Sequence, residues 1–546
     1  MIRPILLLLC AITVPIVAES RLVLSQRAEP RTLNPVFAQD APTRDVLRLI
    51  HGRLVRINGA TLGTEAALAE KWSFSRDGRT CTLRLRRGVK FSDGEPFTAD
   101  DVVFSLELYQ DPKLGSPQRD LLAAGGRPLR VTKISAYEVR LEFAEPYGPA
   151  ERLFDGLAIL PRHRLEKPYR EGKLSQTWTL ATPPGEFAGL GPFVPAAHVP
   201  GQRLVLRKNP HYWQPGKPKL NEVEIVFTAD QTAEMLRFQR GETDLVQRPI
   251  ARAFNALGKD FVKLDLGSSL EYHFLFFNLN EAADKLSPEL RAKQAIWRKP
   301  EFRRAISLAA DRAAMAKLAF DGRATPLRHH VTPGNKRWLV DGPAPRRSAA
   351  EAARLLAAIG LRLDNGVLSG ADGRPVEFTI AVNSANAPQL RMAAILQEDL
   401  RPLGIRVRIV PLEFRSLVDR VLKRLDYEAA LMALGSGDAD PNSEMNIWLN
   451  DGSMHVWNLS AARQPQPWET EIDQLMRRQR ATLNQQERRS LYGQVQRLVA
   501  DYLPIIPLVS PHLLTAHRRG LKDVQPSILP PYALWNIEEF AWESPR

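Results

Sequence analysis

Short stretches of strict alternation, separated by helical stripes, run along most of this chain. Residues 82–86 place Leu83 and Leu85 on one side and Arg84 and Arg86 on the other, which predicts a half-buried strand. Ser92-Asp93-Gly94 then supplies turn chemistry, because glycine accepts positive φ and aspartate bonds its own backbone. Thr98 stands three residues before Asp101, the spacing of a capping box. Val102, Val103, Leu106 and Tyr109 stripe the helix that follows.

The pattern continues to the C-terminus. Leu204 and Leu206 oppose Val205 and Arg207 in one predicted strand, and Val223, Ile225 and Phe227 mark the next. Asp230 caps a helix that Gly241 stops, and Asp244-Leu245-Val246 begins another strand, completing one βαβ unit. Helices are predicted over 302–310, over 312–320 behind Asp311, over 349–359 and over 389–400, the last closed by Pro402 and Gly404. Ile405, Val407 and Ile409 alternate as a strand; a helix over 417–425 leads to an apolar strand over 427–434. Leu491, Val495, Leu498 and Val499 stripe a further helix, and 503–508 reads as extended chain. Such αβ alternation predicts an α/β protein.

At 546 residues the chain exceeds what one core usually supports, so two or three domains are expected. Residues 1–18 read as an export signal: Arg3 is the positive start, 5–17 the apolar core and Ile16-Val17-Ala18 the cleavage site. The apolar run is short for a membrane span, and Cys10 sits inside it without the small residue a lipidation site wants just before it. Cys81 then remains alone and forms no intramolecular disulfide. The formal charge is +14. Its basic residues are mostly dispersed singletons such as Arg44, Arg48 and Arg53, with pairs at Arg303-Arg304, Arg346-Arg347 and Arg477-Arg478, read as solvated surface charge, and no long basic run with interleaved aromatics marks a nucleic-acid groove. There is no Gly-x-Ser-x-Gly elbow, no Walker loop and no His-Glu-x-x-His helix, and His329-His330 reads as a solvated pair rather than a metal site. No enzyme activity, catalytic residue, metal or cofactor is expected.

The run over 68–107 (LAEKWSFSRDGRTCTLRLRRGVKFSDGEPFTADDVVFSLE) resembles the signature block of the family 5 extracellular solute-binding proteins, the oligopeptide and dipeptide receptors of bacterial ABC importers. The resemblance extends, in order, through Gly189-Leu190-Gly191-Pro192-Phe193, Asn209-Pro210-His211-Tyr212-Trp213, Phe277-Asn278-Leu279-Asn280, the helices over 302–326, Gly437-Asp438-Ala439-Asp440-Pro441 and the stretch 487–508. It implies a two-lobed periplasmic-binding-protein fold, class II, cluster C, with an extra domain. By that analogy 19–51, 186–266 and 502–546 form the first domain, 52–185 the extra domain and 267–501 the second lobe. It further implies a periplasmic, monomeric receptor that captures peptide-like solutes between its lobes and delivers them to ABC importer permease subunits. A non-peptide solute (oligosaccharide, opine or chelated metal) is the alternative; an extracytoplasmic hydrolase or a cell-surface interaction protein is a more distant one.

Closure around a solute requires contacts that the open state lacks. Asp438 and Asp440, in a glycine-rich loop after an apolar strand, offer carboxylates to a ligand ammonium. Peptide-binding relatives place an aspartate a few residues before an Asp-Pro step for that purpose; here Gly437 stands three residues before Asp440, and an Asx turn for Asp440 stays open. Asn34, in Arg31-Thr32-Leu33-Asn34-Pro35, matches an early loop near the cleft, with a plain turn as the other reading. Alternation lets one of Tyr272 and His273 face the cleft, or leaves both in the core or at its rim. Trp457 and Asn458 offer an aromatic wall and an amide, or packing.

Overall fold

The computed structural model describes residues 20–544, apart from 125–126, 282–285, 341, 343 and 460–463. The export signal over 1–18, with Cys10, lies outside these residues. Among the described residues twelve strands build the main sheet. They are β1 (Arg21–Gln26), β2 (Phe193–Val199), β3 (Arg203–Lys208), β4 (Glu222–Phe227), β5 (Leu245–Gln247) and β6 (Phe261–Ser268) from the first half of the chain. The second half gives β7 (Glu271–Phe277), β8 (Ala324–Pro326), β9 (Glu377–Asn383), β10 (Arg406–Leu412), β11 (Ala429–Gly435) and β12 (Ile506–Arg518).

Their order is β2-β3-β4-β1-β5-β12-β7-β11-β9-β10, with β6 and β8 also laid on β12. β1 runs parallel to β4 and β5, and β9 parallel to β10 and β11. Parallel neighbours need crossovers, and the helices predicted after Asp230 and before Pro402 supply two of them, as Gln231–Arg240 and Ala387–Leu400. Asp230 accepts from Ala233 N at the first of these helices, the cap its position implied.

One strand joins two bodies of sheet. Thr515, Ala516 and His517 of β12 pair with β5, while Ile506, Pro507 and Val509 pair with β7. The β6–β7 segment runs antiparallel beside it, so the chain crosses between the halves twice. At the crossing Ser269 N donates to Pro511 O at 2.9 Å, and Thr332 Oγ1 to Ser269 O at 2.5 Å. The cores divide accordingly: Leu22, Leu24, Leu83, Leu85, Val223 and Ile225 belong to one cluster, and Phe274, Phe277, Ile380, Leu431, Val495 and Leu508 to another. Each such fully buried side chain contributes about 1.5–3 kcal/mol.

A four-stranded antiparallel sheet (Ala69–Phe74, Thr80–Leu85, Glu138–Glu142, Arg130–Ser135) carries the block over 68–107. Cys81, Leu83 and Leu85 face its core, and helix Ala99–Gln110 starts with the expected capping box, Thr98 N donating to Asp101 Oδ2 at 2.9 Å. Two expectations change. The helix over 417–425 is a short α-helix, Phe414–Asp419, continued by a wider π turn, Arg420–Arg424. His329 and His330 are buried rather than solvated; His330 Nε2 lies 3.1 Å from the Tyr492 hydroxyl, which donates to Glu444 Oε2 at 2.7 Å. Their place in the second-half core explains the difference, since the hydroxyl partner arrives from 162 residues away in sequence.

Candidate functional site

A cavity of about 560 Å³ lies between the two halves. Residues 437–446 of the second half form one wall; segments 48–59, 147–156, 190–192, 212–214 and 527–538 form the others. Helix Ala41–Ile50, capped by Asp40, delivers Arg48 in its last turn, where a cation also suits the helix C-terminus. Gly191 lets the next wall approach: a Cβ there would sit 2.5 Å from Leu49 O, and its amide donates to Ile50 O at 3.1 Å. Leu190 and Pro192 are thereby carried into the lining.

Ion pairs dominate the polar part of the wall. Arg48 Nη2 meets Asp155 Oδ2 at 2.9 Å. Burial works against the Asp155 carboxylate, but the Arg48 charge and hydrogen bond, Arg53 and the Ile57 amide outweigh it and hold the carboxyl below its usual range. Arg56 pairs with Glu538 and, at 3.0 Å, with Glu65. Arg152 reaches across the halves to Asp438 at 3.4 Å and donates to Leu62 O at 3.0 Å. Burial pushes Asp438 up from its usual range against the pull of Arg152, with Asp440 adding to the rise. Burial likewise holds His51 down at about 3, so its ring is neutral at pH 7. Tyr212, Trp213 and Trp535, with Leu529 and Leu534, give the remainder an aromatic and apolar character.

The halves also touch beside the cavity. Asn442 Nδ2 donates to the Tyr147 hydroxyl at 3.2 Å, Arg480 pairs with Glu145 at 2.6 Å and Gly148 N donates to Arg480 O at 2.7 Å. Ile57, Leu62 and Leu529 meet Leu270 and Ala439 in a small apolar cluster.

Of the residues singled out in the sequence, Asp438 and Asp440 line the cavity and the other five do not. Asp438 keeps 32 % of its side chain exposed. Asp440 is spent on the protein: both its oxygens take Arg488, at 2.7 and 2.9 Å, and Oδ1 also accepts from Asn442 N, which is the Asx turn its sequence allows. Asn34 is fully buried as the cap of a 3₁₀ turn, accepting from Val36 N and donating to Leu174 O, so its amide has no capacity turned to a cleft. Tyr272 packs on Phe274 and His330, and His273 lies 3.3 Å from Glu271 and against Phe320. Both are buried because β7 is central and covered on both faces, where alternation no longer separates core from cleft. Trp457 is buried against Trp448 and His455, its indole donating to Glu469, and Asn458 is buried beside it. Arg48 and Arg53, read as solvated charge, are in the cavity wall instead. Nothing in their spacing marks them; Arg48 reaches the cavity from the last turn of its helix and Arg53 from the extended chain that follows.

One turn before Arg48, Asp45 is pushed up to about 6 by burial, against Arg48, Arg44 and Arg248. A raised carboxyl stabilises the fold only while protonated, so this contribution is present below pH about 4 and lost as pH rises through about 6. Asp45→Asn is expected to match wild type in urea unfolding near pH 4 and to exceed it by on the order of 1 kcal/mol at pH 7. Equal stabilities at both pH values would contradict this.

The sequence profile described as bacterial extracellular solute-binding proteins, family 5 Middle, matches residues 63–455. The chain is 26 % identical over 513 residues to a protein of Deinococcus radiodurans named probable ABC transporter-binding protein, covering 88 % of this chain and 85 % of that one. It is also 26 % identical over 540 residues to the probable D,D-dipeptide-binding periplasmic protein DdpA of Escherichia coli K12, covering 95 % of each. Among solved structures, NikA from Brucella suis in complex with Fe(III)-EDTA superposes with a TM-score of 0.79 at 20 % identity, covering 96 % of this chain and 99 % of that one.

Proposed function

The chain belongs to the family 5 bacterial extracellular solute-binding proteins, and from that membership we propose that it captures a peptide-like solute between its two halves and releases it unaltered to the permease subunits of an ABC importer. Its family and fold are those of binding proteins rather than enzymes, and the family acts outside the cytoplasm. No described helix is long and apolar enough to cross a membrane.

The observation that carries the reading is the cavity with walls from both halves. A ligand touching both walls gains contacts only on closure, so it shifts the hinge equilibrium toward the closed form. Burying a chain of amides demands donors and acceptors, and Gln214, Asn442, Ser443, Asn446 and Ser527 bring such groups to the lining. The name of the Escherichia coli relative, which refers to dipeptide binding, supports the same class. In this proposal the lobes are 19–51 with 186–266 and 502–546, carrying 52–185, and 267–501; the hinge is the double crossing at β6–β7 and β12. The mature chain acts as a monomer in the periplasm, exported by residues 1–18, and binds no nucleic acid.

Native mass spectrometry of protein purified from its own envelope is expected to find a non-covalent adduct of peptide-like composition, released intact. Recovery of an oligosaccharide, an opine or a metal chelate would replace the solute class. Conversion of the solute to a product would end the receptor reading.

A further inference from the structure

The cavity lining carries four arginines and four carboxylates, but their pairing leaves one arginine over, because Asp440 takes Arg488 from outside the lining. Its four carboxylates are each matched: Asp155 by Arg48, Asp438 by Arg152, Asp440 by Arg488 and Glu538 by Arg56. The cations of the lining are Arg48, Arg53, Arg56 and Arg152, since His51 is neutral. Arg53 is the one among them with no ion pair in the described residues. One of its terminal nitrogens donates to His51 O at 3.3 Å, and its buried Nε has no hydrogen-bond partner. Asp155 is near enough to favour its charge but is engaged bidentately by Arg48.

Burial lowers Arg53 to about 9, which still leaves it charged at pH 7. A guanidinium held in a desolvated wall without a counterion costs free energy that an incoming anion recovers through charge-assisted hydrogen bonds. An ammonium finds the opposite: every carboxylate of the lining already faces an arginine, and Arg53 adds a further positive charge. This asymmetry is built into the wall before any ligand arrives.

We infer that the cavity selects solutes of net negative charge, with a carboxylate or similar anion on Arg53 and no free ammonium, as in an N-acylated peptide acid. This rests on the receptor reading above and narrows it. The carboxylate end sits near Arg53 and His51, and an apolar residue of the solute lies along Leu190, Leu534 and Trp213.

The test uses the full mature protein and matched probes in isothermal titration: N-acetyl-alanyl-phenylalanine, its C-terminal amide, unblocked alanyl-phenylalanine, and the same three forms of several other apolar dipeptides. The N-acetyl acids are expected to bind about tenfold or more tighter than either the amides or the unblocked peptides. Arg53→Gln should erase the preference for acid over amide, Arg53→Lys should keep part of it, and neither should melt below wild type, because an unpaired, partly buried charge has been removed or kept. The inference is overturned if acid and amide bind alike, if unblocked peptides bind best, if Arg53→Gln leaves the preference intact, or if no acid of the set binds. A cationic or zwitterionic solute recovered intact from the envelope would also overturn it while leaving the receptor reading in place.

Discussion

Asp440→Ala is expected to lower the free energy of unfolding by about 3–5 kcal/mol, the cost of stranding a buried charge. The partner left behind is Arg488, 2 % exposed in its side chain, on helix Gln485–Tyr502. It would keep its bonds to Gln479, at 3.0 and 2.9 Å, and its place over the Trp338 ring, but none of these carries negative charge. The aspartate also caps the turn Pro441–Glu444, so the loop bearing Asp438 and Asn442 would lose its anchor. Asp438→Ala should cost under about 1 kcal/mol, because its side chain is one-third exposed and its arginine has a second partner in Leu62 O. Urea unfolding of the two variants separates them. Adding Arg488→Met to Asp440→Ala should recover most of the loss, since an apolar side chain tolerates the same burial. If Asp440→Ala unfolds at the wild-type midpoint, the pair is not holding the loop.

Gly148→Val should fold normally and bind its solute about 10–100-fold more weakly. Gly148 has an ordinary backbone conformation, so a side chain strains nothing locally. The obstacle belongs to the other half: a Cβ at Gly148 would lie 2.2 Å from Thr482 O, backbone that has no rotamer to yield. Relieving such an overlap costs about 1–3 kcal/mol, and that cost falls only on the closed form, which lowers the closed population and the apparent affinity with it. The contact Gly148 N to Arg480 O would be lost at the same time. Titration of the copurified solute, together with small-angle scattering, reads both effects. Unchanged affinity with an unchanged closed envelope would mean that this seam is not part of closure.

Asp440 and its surroundings differ in how legible they are. Asp440 stands in a glycine-rich loop after an apolar strand, and composition alone draws attention to it. Its partner Arg488 lies 48 residues later on a helix, and no local pattern connects them. The same limit explains most of the site. Periodicity and capping chemistry are local, so the capping box at Thr98, the Asp230 cap and the β9–helix–β10 unit are readable in the amino-acid order itself. Arg48 and Arg53 become cavity residues only because Gly191, 141 residues beyond Ile50, packs against the chain there. Asn34 reads as a polar group facing a cleft, yet a carbonyl from residue 174 takes its amide. Tyr272 and His273 mislead for another reason: in a strand buried on both faces, alternation carries no information about which side holds solvent.

β12 is the last long element of the chain and the shared edge of both bodies of sheet. A polypeptide emerging from the ribosome therefore cannot complete either one until residues 506–518 have been made. Synthesis and folding are coupled by that placement: the nascent protein stays unfinished for nearly its whole length.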